Sequence, residues 1–423
     1  MNPFLPSILA ALAQQYGTPL WVYDASTITR QVETLRPFDV LRFAQKANSN
    51  THILRHMKRL GVVVDSVSLG EVERALAAGF VPGLHTADGK PHAEIVLTAD
   101  LLDHATLARV VELGVPVNCG SVDMLDQLGA AQPGHPVWLR INPGFGHGHS
   151  NKTNTGGEQS KHGIWHGDLA LACEKVRAHG LALQGLHMHI GSGVDYAHLQ
   201  EVCGAMVKLV EAVKAQGLDV QAISAGGGLS VPYRAGEPSI DTAHYFSMWN
   251  AARQTIAQML GHPVTLELEP GRYLVAESGV LVAEVRAVKN QGSKHFVLVD
   301  AGFNDLMRPS MYGSYHAMDL IHADGSKSTG PLCDTVVGGP LCESGDVFTQ
   351  GEGGVVLERS LPSARVGDLL VIHDTGAYGA SMSSNYNTRP LIAEVLVDSA
   401  DPGCQPRLIR RRQTVAELLA LEQ

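Results

Sequence analysis

Lys46 stands near the end of a short apolar run, in the segment FAQKAN (residues 43–48). Other groups able to do chemistry close other apolar runs. They are Asp65 and Ser68; Arg140; His187 and His189; Gly226, Gly227 and Gly228; and Glu269 with Pro270, Gly271 and Arg272. A lysine amine can form a Schiff base with an aldehyde. Consecutive glycines offer backbone N–H groups with no side chain in the way, which suits a phosphate. A carboxylate against a pyridine nitrogen keeps that nitrogen protonated and makes the ring a stronger electron sink. An imidazole can cover the ring face. Taken singly, each has a plainer reading: a strand-end lysine reaching solvent, a satisfied core histidine, a glycine turn. Taken together they describe a site for pyridoxal 5'-phosphate, with Lys46 as the amine, Glu269 facing the ring nitrogen and His189 over the ring.

What would bring these residues together is a repeat of short apolar strands and helical stretches between about residues 40 and 271. The expected strands are 41–46, 62–68, 95–99, 115–120, 137–142, 183–190, 222–226 and 265–269. Helices are expected between them, for example over 70–78 and 196–216. Ser68 and Glu71 form a capping-box pattern before the first of these, and Gly79 suits its end. Strands alternating with helices imply parallel pairing, and eight such units fit a (β/α)8 TIM-like barrel. In that fold the active site lies at the C-terminal ends of the strands, where the residues above fall.

After residue 275 the pattern changes. Segments 280–288, 296–299, 369–373 and 394–397 read as strands separated by Gly, Pro and Asp, and a capping box at Thr414 and Glu417 starts a short helix. The expected architecture is α/β: a barrel over 35–275 and a C-terminal antiparallel β-sandwich or barrel-like domain built from 1–34 and 276–423. The stretch from Gly144 to Gly163 is long and rich in Gly, Asn and Ser, which fits a lid or a surface insertion. His147 and His149 lie in it without carboxylates at metal-ligand spacing, so no metal is expected.

Composition narrows the function classes. The chain has 423 residues and a formal net charge of -10, which argues against nucleic-acid or anionic-membrane partners. Six scattered cysteines without a CxxC pair fit a reducing compartment. The first basic residue is Arg30, the apolar stretch from Leu5 to Leu12 reads as a short amphipathic helix rather than a leader, and no apolar run is long enough to span a membrane. A cytoplasmic protein is expected.

Seven motifs in order give the chain a family likeness: FAQKAN, DSVSLGE, HMHIGSG, GGGLSVPY, EPGR, GPLCESGDVF and GAYGASMSSNYN. They resemble the fold-type III pyridoxal-phosphate decarboxylases, and among them the diaminopimelate decarboxylase family, over nearly the whole chain. The resemblance implies that Lys46 carries the cofactor, His189 stacks on it and Glu269 pairs with the pyridinium. It implies a cofactor shell of Asp65, Arg140, Ser192, Gly227, Gly228, Pro270, Gly271, Arg272 and Tyr378. It further implies substrate contacts from Arg272, Arg308, Tyr312, Glu343 and Tyr378, with Cys342 as proton donor. In the family the Cys342 segment reaches the other subunit's site, which implies a homodimer with shared active sites.

The implied substrate, meso-diaminopimelate, carries an amino-acid group at each end; an arginine suits its distal carboxylate and a carboxylate suits its distal ammonium. Cys342 has a plainer reading as a small buried hydrophobe. Three rival functions stay open from the residues. A decarboxylase of ornithine, arginine or lysine would leave Arg308 with little purpose. A racemase on the same fold would place an arginine where Glu269 stands. A non-catalytic regulatory homologue would commonly have lost the lysine or the phosphate contacts.

Overall fold

The computed structural model describes residues 4–87, 90–146, 156–189, 195–401 and 403–422. The chain divides into two compact units, one of residues 32–230 and 240–271, the other of 1–31, 231–239 and 272–423.

The first unit is a closed barrel. Eight parallel strands follow one another round it: Val40–Ala44, Val63–Ser66, Ile95–Ala99, Val117–Cys119, Pro136–Asn142, Ala182–His187, Ala222–Ser224 and Thr265–Leu268. The ring closes where Glu267 and Leu268 pair with Val40 and Leu41. All eight expected strands are present, but most stop short of their expected C-terminal ends. The strands are apolar because the barrel interior and the helical layer bury both of their faces. One exception is Arg42, 2% exposed, whose Nε donates to Glu267 Oε2 at 3.0 Å while Nη1 donates to the carbonyls of Val64 and Ala93. A cavity of about 230 Å3 lies at the strands' N-terminal ends, lined in part by Val40, Arg42, Trp138, Thr265 and Glu267.

Local signals set the barrel helices. Leu69–Ala78 starts where Ser68 Oγ accepts the Glu71 N–H and ends at Gly79, whose φ of 97° is left-handed. The expected capping box is only half formed. The Glu71 carboxylate accepts the N–H of Val67, one residue before the cap. Tyr196–Ala215 begins under the Asp195 side chain, which accepts from Ala197 and His198. A hairpin of Leu84–Ala87 and Lys90–Ala93 was not foreseen.

The second unit is built on a nine-stranded sheet that is mixed rather than antiparallel. Leu20–Asp24, fully buried, runs parallel to Ala393–Val397 on one side and antiparallel to Gly279–Gln291 on the other. Lys294–Val299 and Leu332–Gly338 also pair in parallel. The expectation of an antiparallel domain fails at these two parallel pairings, the first of which arises because an N-terminal strand inserts between the strands Gly279–Gln291 and Ala393–Val397. Its core includes Leu9, Leu12, Val22, Val282, Val371 and Val395. The capping box at Thr414 and Glu417 is complete and opens Val415–Leu419.

Candidate active site

The barrel's distinctive residues lie at the C-terminal ends of the strands, Asp65, Arg140 and His187 within the last residues of their strands and Lys46, His189 and Glu269 just beyond. Lys46 occupies a 3-10 turn, Gln45–Ala47, directly after the first strand. The neighbours on either side are buried and the Lys46 side chain is exposed. Gln45 fixes the turn, because its Nε2 donates to Ser66 Oγ at 2.6 Å and to the Glu71 carbonyl at 3.1 Å. The lysine therefore sits on an anchored base while its amine makes no hydrogen bond or ion pair among the described residues.

Glu269 follows the eighth strand and is 8% exposed. Its two carboxylate oxygens are held separately. His187 Nε2 lies 2.8 Å from Oε2, and Ser224 Oγ donates to Oε1 at 2.9 Å. Burial pushes its pKa up, but the charge and hydrogen bond of His187, the Arg42 guanidinium and the Ser224 hydroxyl outweigh that, leaving about 2. Asp65, on the second strand, goes the other way. Burial and the Glu269 charge raise it to about 7, against the opposing effects of Thr98 and Lys46. Of the two buried carboxyls, Glu269 is the one held ionised and Asp65 the one pushed towards its protonated form.

His189 lies two residues past the sixth strand. Its Nδ1 accepts the Gly227 N–H at 3.0 Å, which leaves any ring proton on Nε2. Burial first, and then the positive charges of Lys46 and Arg140, push its pKa well below the ordinary value, so the ring is neutral. The glycines are fixed by crowding. A Cβ on Gly226 would lie 2.3 Å from the Met188 carbonyl oxygen, and one on Gly227 would lie 2.6 Å from that of Glu269. The Glu269 N–H donates to the Gly226 carbonyl at 2.7 Å, and the Ala44 N–H donates to that of Pro270, tying the glycine turn to the EPGR turn and the first strand. Gly271 packs against Ala44 and Ala47. Arg140 is buried in the fifth strand, 3.8 Å from Asp100, which also binds His162 at 2.5 Å and accepts the Gly163 N–H.

These features fit a pyridoxal phosphate. The amine of Lys46 is unengaged, Glu269 is a buried anion, and a neutral imidazole stands beside side-chain-free backbone. Asp65 Oδ1 and His187 Nδ1 are buried without a hydrogen-bond partner. Ser192, and the loop histidines His147 and His149, lie outside the described residues.

The second unit carries the other expected residues. Arg272 opens the short helix Arg272–Val275, and Arg308 opens Arg308–Tyr312. Both guanidiniums donate to one atom, the phenolic oxygen of Tyr233, at 2.8 and 2.9 Å. Arg308 also reaches Ser314 Oγ and His316 Nε2, both at 3.3 Å. Burial and the Arg308 charge hold His316 near 3, so it stays neutral. Arg272 lies 5.2 Å from the ring centre of Tyr378, a residue in left-handed backbone at φ 57°. Among the described residues neither arginine forms an ion pair with a carboxylate. Cys342 and Glu343 are exposed; the Cys342 N–H donates to Asn387 Oδ1 at 2.9 Å, and Asp346 accepts the N–H of Leu341. Sequence reasoning gave no role to Ser224, Tyr233, His316, Asp100 or Asn387.

Known proteins resemble this chain over nearly its whole length. Residues 26–276 match the family described as pyridoxal-dependent decarboxylase, pyridoxal binding domain. The diaminopimelate decarboxylase of Escherichia coli (strain K12) is 66% identical over 415 residues, covering 98% of this chain and 96% of the relative. That of Streptomyces coelicolor is 65% identical over 414 residues, covering 98% and 91%. A crystal structure of a diaminopimelate decarboxylase matches with a TM-score of 0.92 at 65% identity, covering 98% and 96%. The Helicobacter pylori enzyme complexed with L-lysine matches with a TM-score of 0.85 at 30% identity, covering 98% and 99%. With the barrel, the lysine turn and the buried carboxylate in place, likeness at this level over the full chain means that the protein belongs to the diaminopimelate decarboxylase family of pyridoxal-dependent decarboxylases.

Proposed function

We propose that the arginine pair of the second unit reads the distal carboxylate of meso-2,6-diaminopimelate, which this enzyme decarboxylates to L-lysine and CO2, the last step of lysine biosynthesis. The observation that carries this reading is the pair itself. Arg308 is buried and Arg272 half-buried, and the two positive charges meet at a phenol with no carboxylate partner among the described residues. Burial, and then the neighbouring Arg272 charge, lower the Arg308 pKa against the help of Tyr233. Such a pair is relieved by an arriving carboxylate. Ornithine, arginine and lysine bring only the carboxylate that is lost.

The remaining roles follow. Lys46 anchors the cofactor and Glu269 holds a proton at the ring nitrogen. His189 covers the ring, supported by Asp65 and Arg140. Ser192, Gly227, Gly228 and the turn of Pro270, Gly271 and Arg272 hold the phosphate. The bound cofactor supplies a sink for the electron pair left at Cα when CO2 departs. Cys342 delivers the proton that Cα needs, from the partner subunit of a homodimer, and Glu343 takes the distal ammonium. Tyr312 and Tyr378 complete the substrate contacts. No helix among the described residues is long and apolar enough to cross a membrane, and a cytoplasmic enzyme is the reading we adopt.

Replacing Arg308 tests the reading. Losing one partner of a buried charged contact typically costs on the order of 2–5 kcal/mol. Arg308→Ala is expected to lower kcat/KM for meso-diaminopimelate by roughly 30-fold to several thousand-fold. Any turnover of L-lysine should change much less. Equal losses on both substrates would reduce Arg308 to a structural support.

A further inference from the structure

We infer that Tyr233 is a specificity-determining residue, whose hydroxyl proton is donated to the same substrate carboxylate that Arg272 and Arg308 bind. The inference rests on the reading of that pair given above and extends it to a residue with no assigned role.

Hydrogen-bond accounting carries it. A guanidinium only donates, so at both the 2.8 Å contact with Arg272 and the 2.9 Å contact with Arg308 the phenolic oxygen must be the acceptor. A hydroxyl has two acceptor positions and one proton. Here both acceptor positions are filled, and no described residue takes the proton. The phenol can therefore satisfy itself only by donating to a further acceptor, and it is half-buried rather than sealed, so a ligand can reach it. The contacts of the phenol ring among the described residues are with cations and a neutral ring. The Arg308 and Arg272 guanidiniums lie 5.1 and 5.8 Å from its ring centre, and the His316 ring meets it edge-on at 5.4 Å. His316 is committed as well. Its Nε2 must accept from Arg308, so its Nδ1–H donates to the His373 carbonyl at 2.9 Å.

Two cations and one outward O–H, fixed through a common oxygen, suit a carboxylate and reject an ammonium. The Tyr233 backbone is pinned too, since its N–H and that of Arg234 both donate to Glu237 Oε2. Charge-assisted hydrogen bonds of this kind are stronger than neutral ones, and they reward a fixed geometry.

The test uses two ligands that differ by one carboxylate, L-lysine and pentane-1,5-diamine, titrated calorimetrically into the cofactor-loaded enzyme. Both present the same terminal amines, and only lysine, bound as the reaction product, offers the retained distal carboxylate; this mode differs from the one in which lysine would itself be decarboxylated. Tyr233→Phe is expected to weaken L-lysine by roughly 10-fold to 100-fold and to leave the diamine within about 2-fold. The unchanged diamine also reports an intact fold. Equal weakening of both ligands would assign Tyr233 a structural role and overturn the inference, as would unchanged lysine affinity. Arg308→Ala separates the two readings. If it keeps full preference for lysine over the diamine, the arginine pair does not read the carboxylate and both readings fall. If it loses that preference while Tyr233→Phe keeps it, Tyr233 alone is excluded.

Discussion

At the scale of single residues, the proposed chemistry rests on keeping one buried carboxylate ionised near another. Glu269 is held at about 2 against burial by His187, Arg42 and Ser224, while Asp65 is raised to about 7. A depressed carboxyl stabilises the fold above its ordinary value of 4.5, and that contribution is lost as pH falls towards 2. Removing the partner moves the loss upward. His187→Ala is therefore expected to shift the acid limb of kcat/KM to higher pH, with weaker cofactor retention below it; an unmoved limb would show that His187 does not hold the charge. The lysine and the carboxylate were legible in the sequence because each stands out at the end of an apolar run. Ser224 was not, since a serine closing a three-residue strand looks like filler until its hydroxyl is seen against Glu269. Tyr233 lay inside a recognised motif, yet its neighbours come from distant segments that periodicity cannot join.

At the scale of elements, the strands mattered less than where they stop. The expected strands ran on to Lys46, Ser68, Ile190, Gly226 and Glu269, whereas the ladders end at Ala44, Ser66, His187, Ser224 and Leu268. Apolar pattern marks what is buried and cannot tell a paired residue from the buried turn that follows it. Those turns, outside the ladders, carry Lys46, His189 and Glu269, the residues proposed to meet the cofactor. The hairpin of Leu84–Ala87 and Lys90–Ala93 has a sequence signal, the Asp88–Gly89 pair that favours tight β-turns, but its short flanking runs lack the alternating apolar pattern of a strand. Glycine placement gives a paired prediction. Gly227→Ala forces a Cβ to 2.6 Å from the Glu269 carbonyl, so it should displace the carboxylate and cost about 1–3 kcal/mol with marked loss of cofactor affinity. Gly204→Ala, in open space within Tyr196–Ala215, should instead stabilise by up to about 1 kcal/mol with cofactor binding unchanged. Thermal melts and cofactor titrations of the two variants check both, and equal behaviour would refute the crowding argument.

At the scale of the whole molecule, the chain builds its second unit from both ends and from the insert 231–239. This is why its sheet could not be read correctly from sequence. Leu20–Asp24 pairs with Ala393–Val397 across more than 360 residues, and only long-range pairing sets its direction. The barrel was legible because its neighbours in space are neighbours in sequence. The same contrast applies to the chemistry. The barrel residues follow strand order, while Tyr233, Arg272, Arg308 and His316 converge from separate segments. The central claim is that this molecule decarboxylates a substrate with a carboxylate at each end. The most direct measurement is mass spectrometry of products from separate incubations with meso-diaminopimelate, L-lysine and L-ornithine in deuterated water. The account predicts rapid conversion of meso-diaminopimelate to L-lysine carrying a single carbon-bound deuterium, with little or no diamine from the other two. Preferential formation of a diamine from L-lysine or L-ornithine, with meso-diaminopimelate left intact, would contradict it.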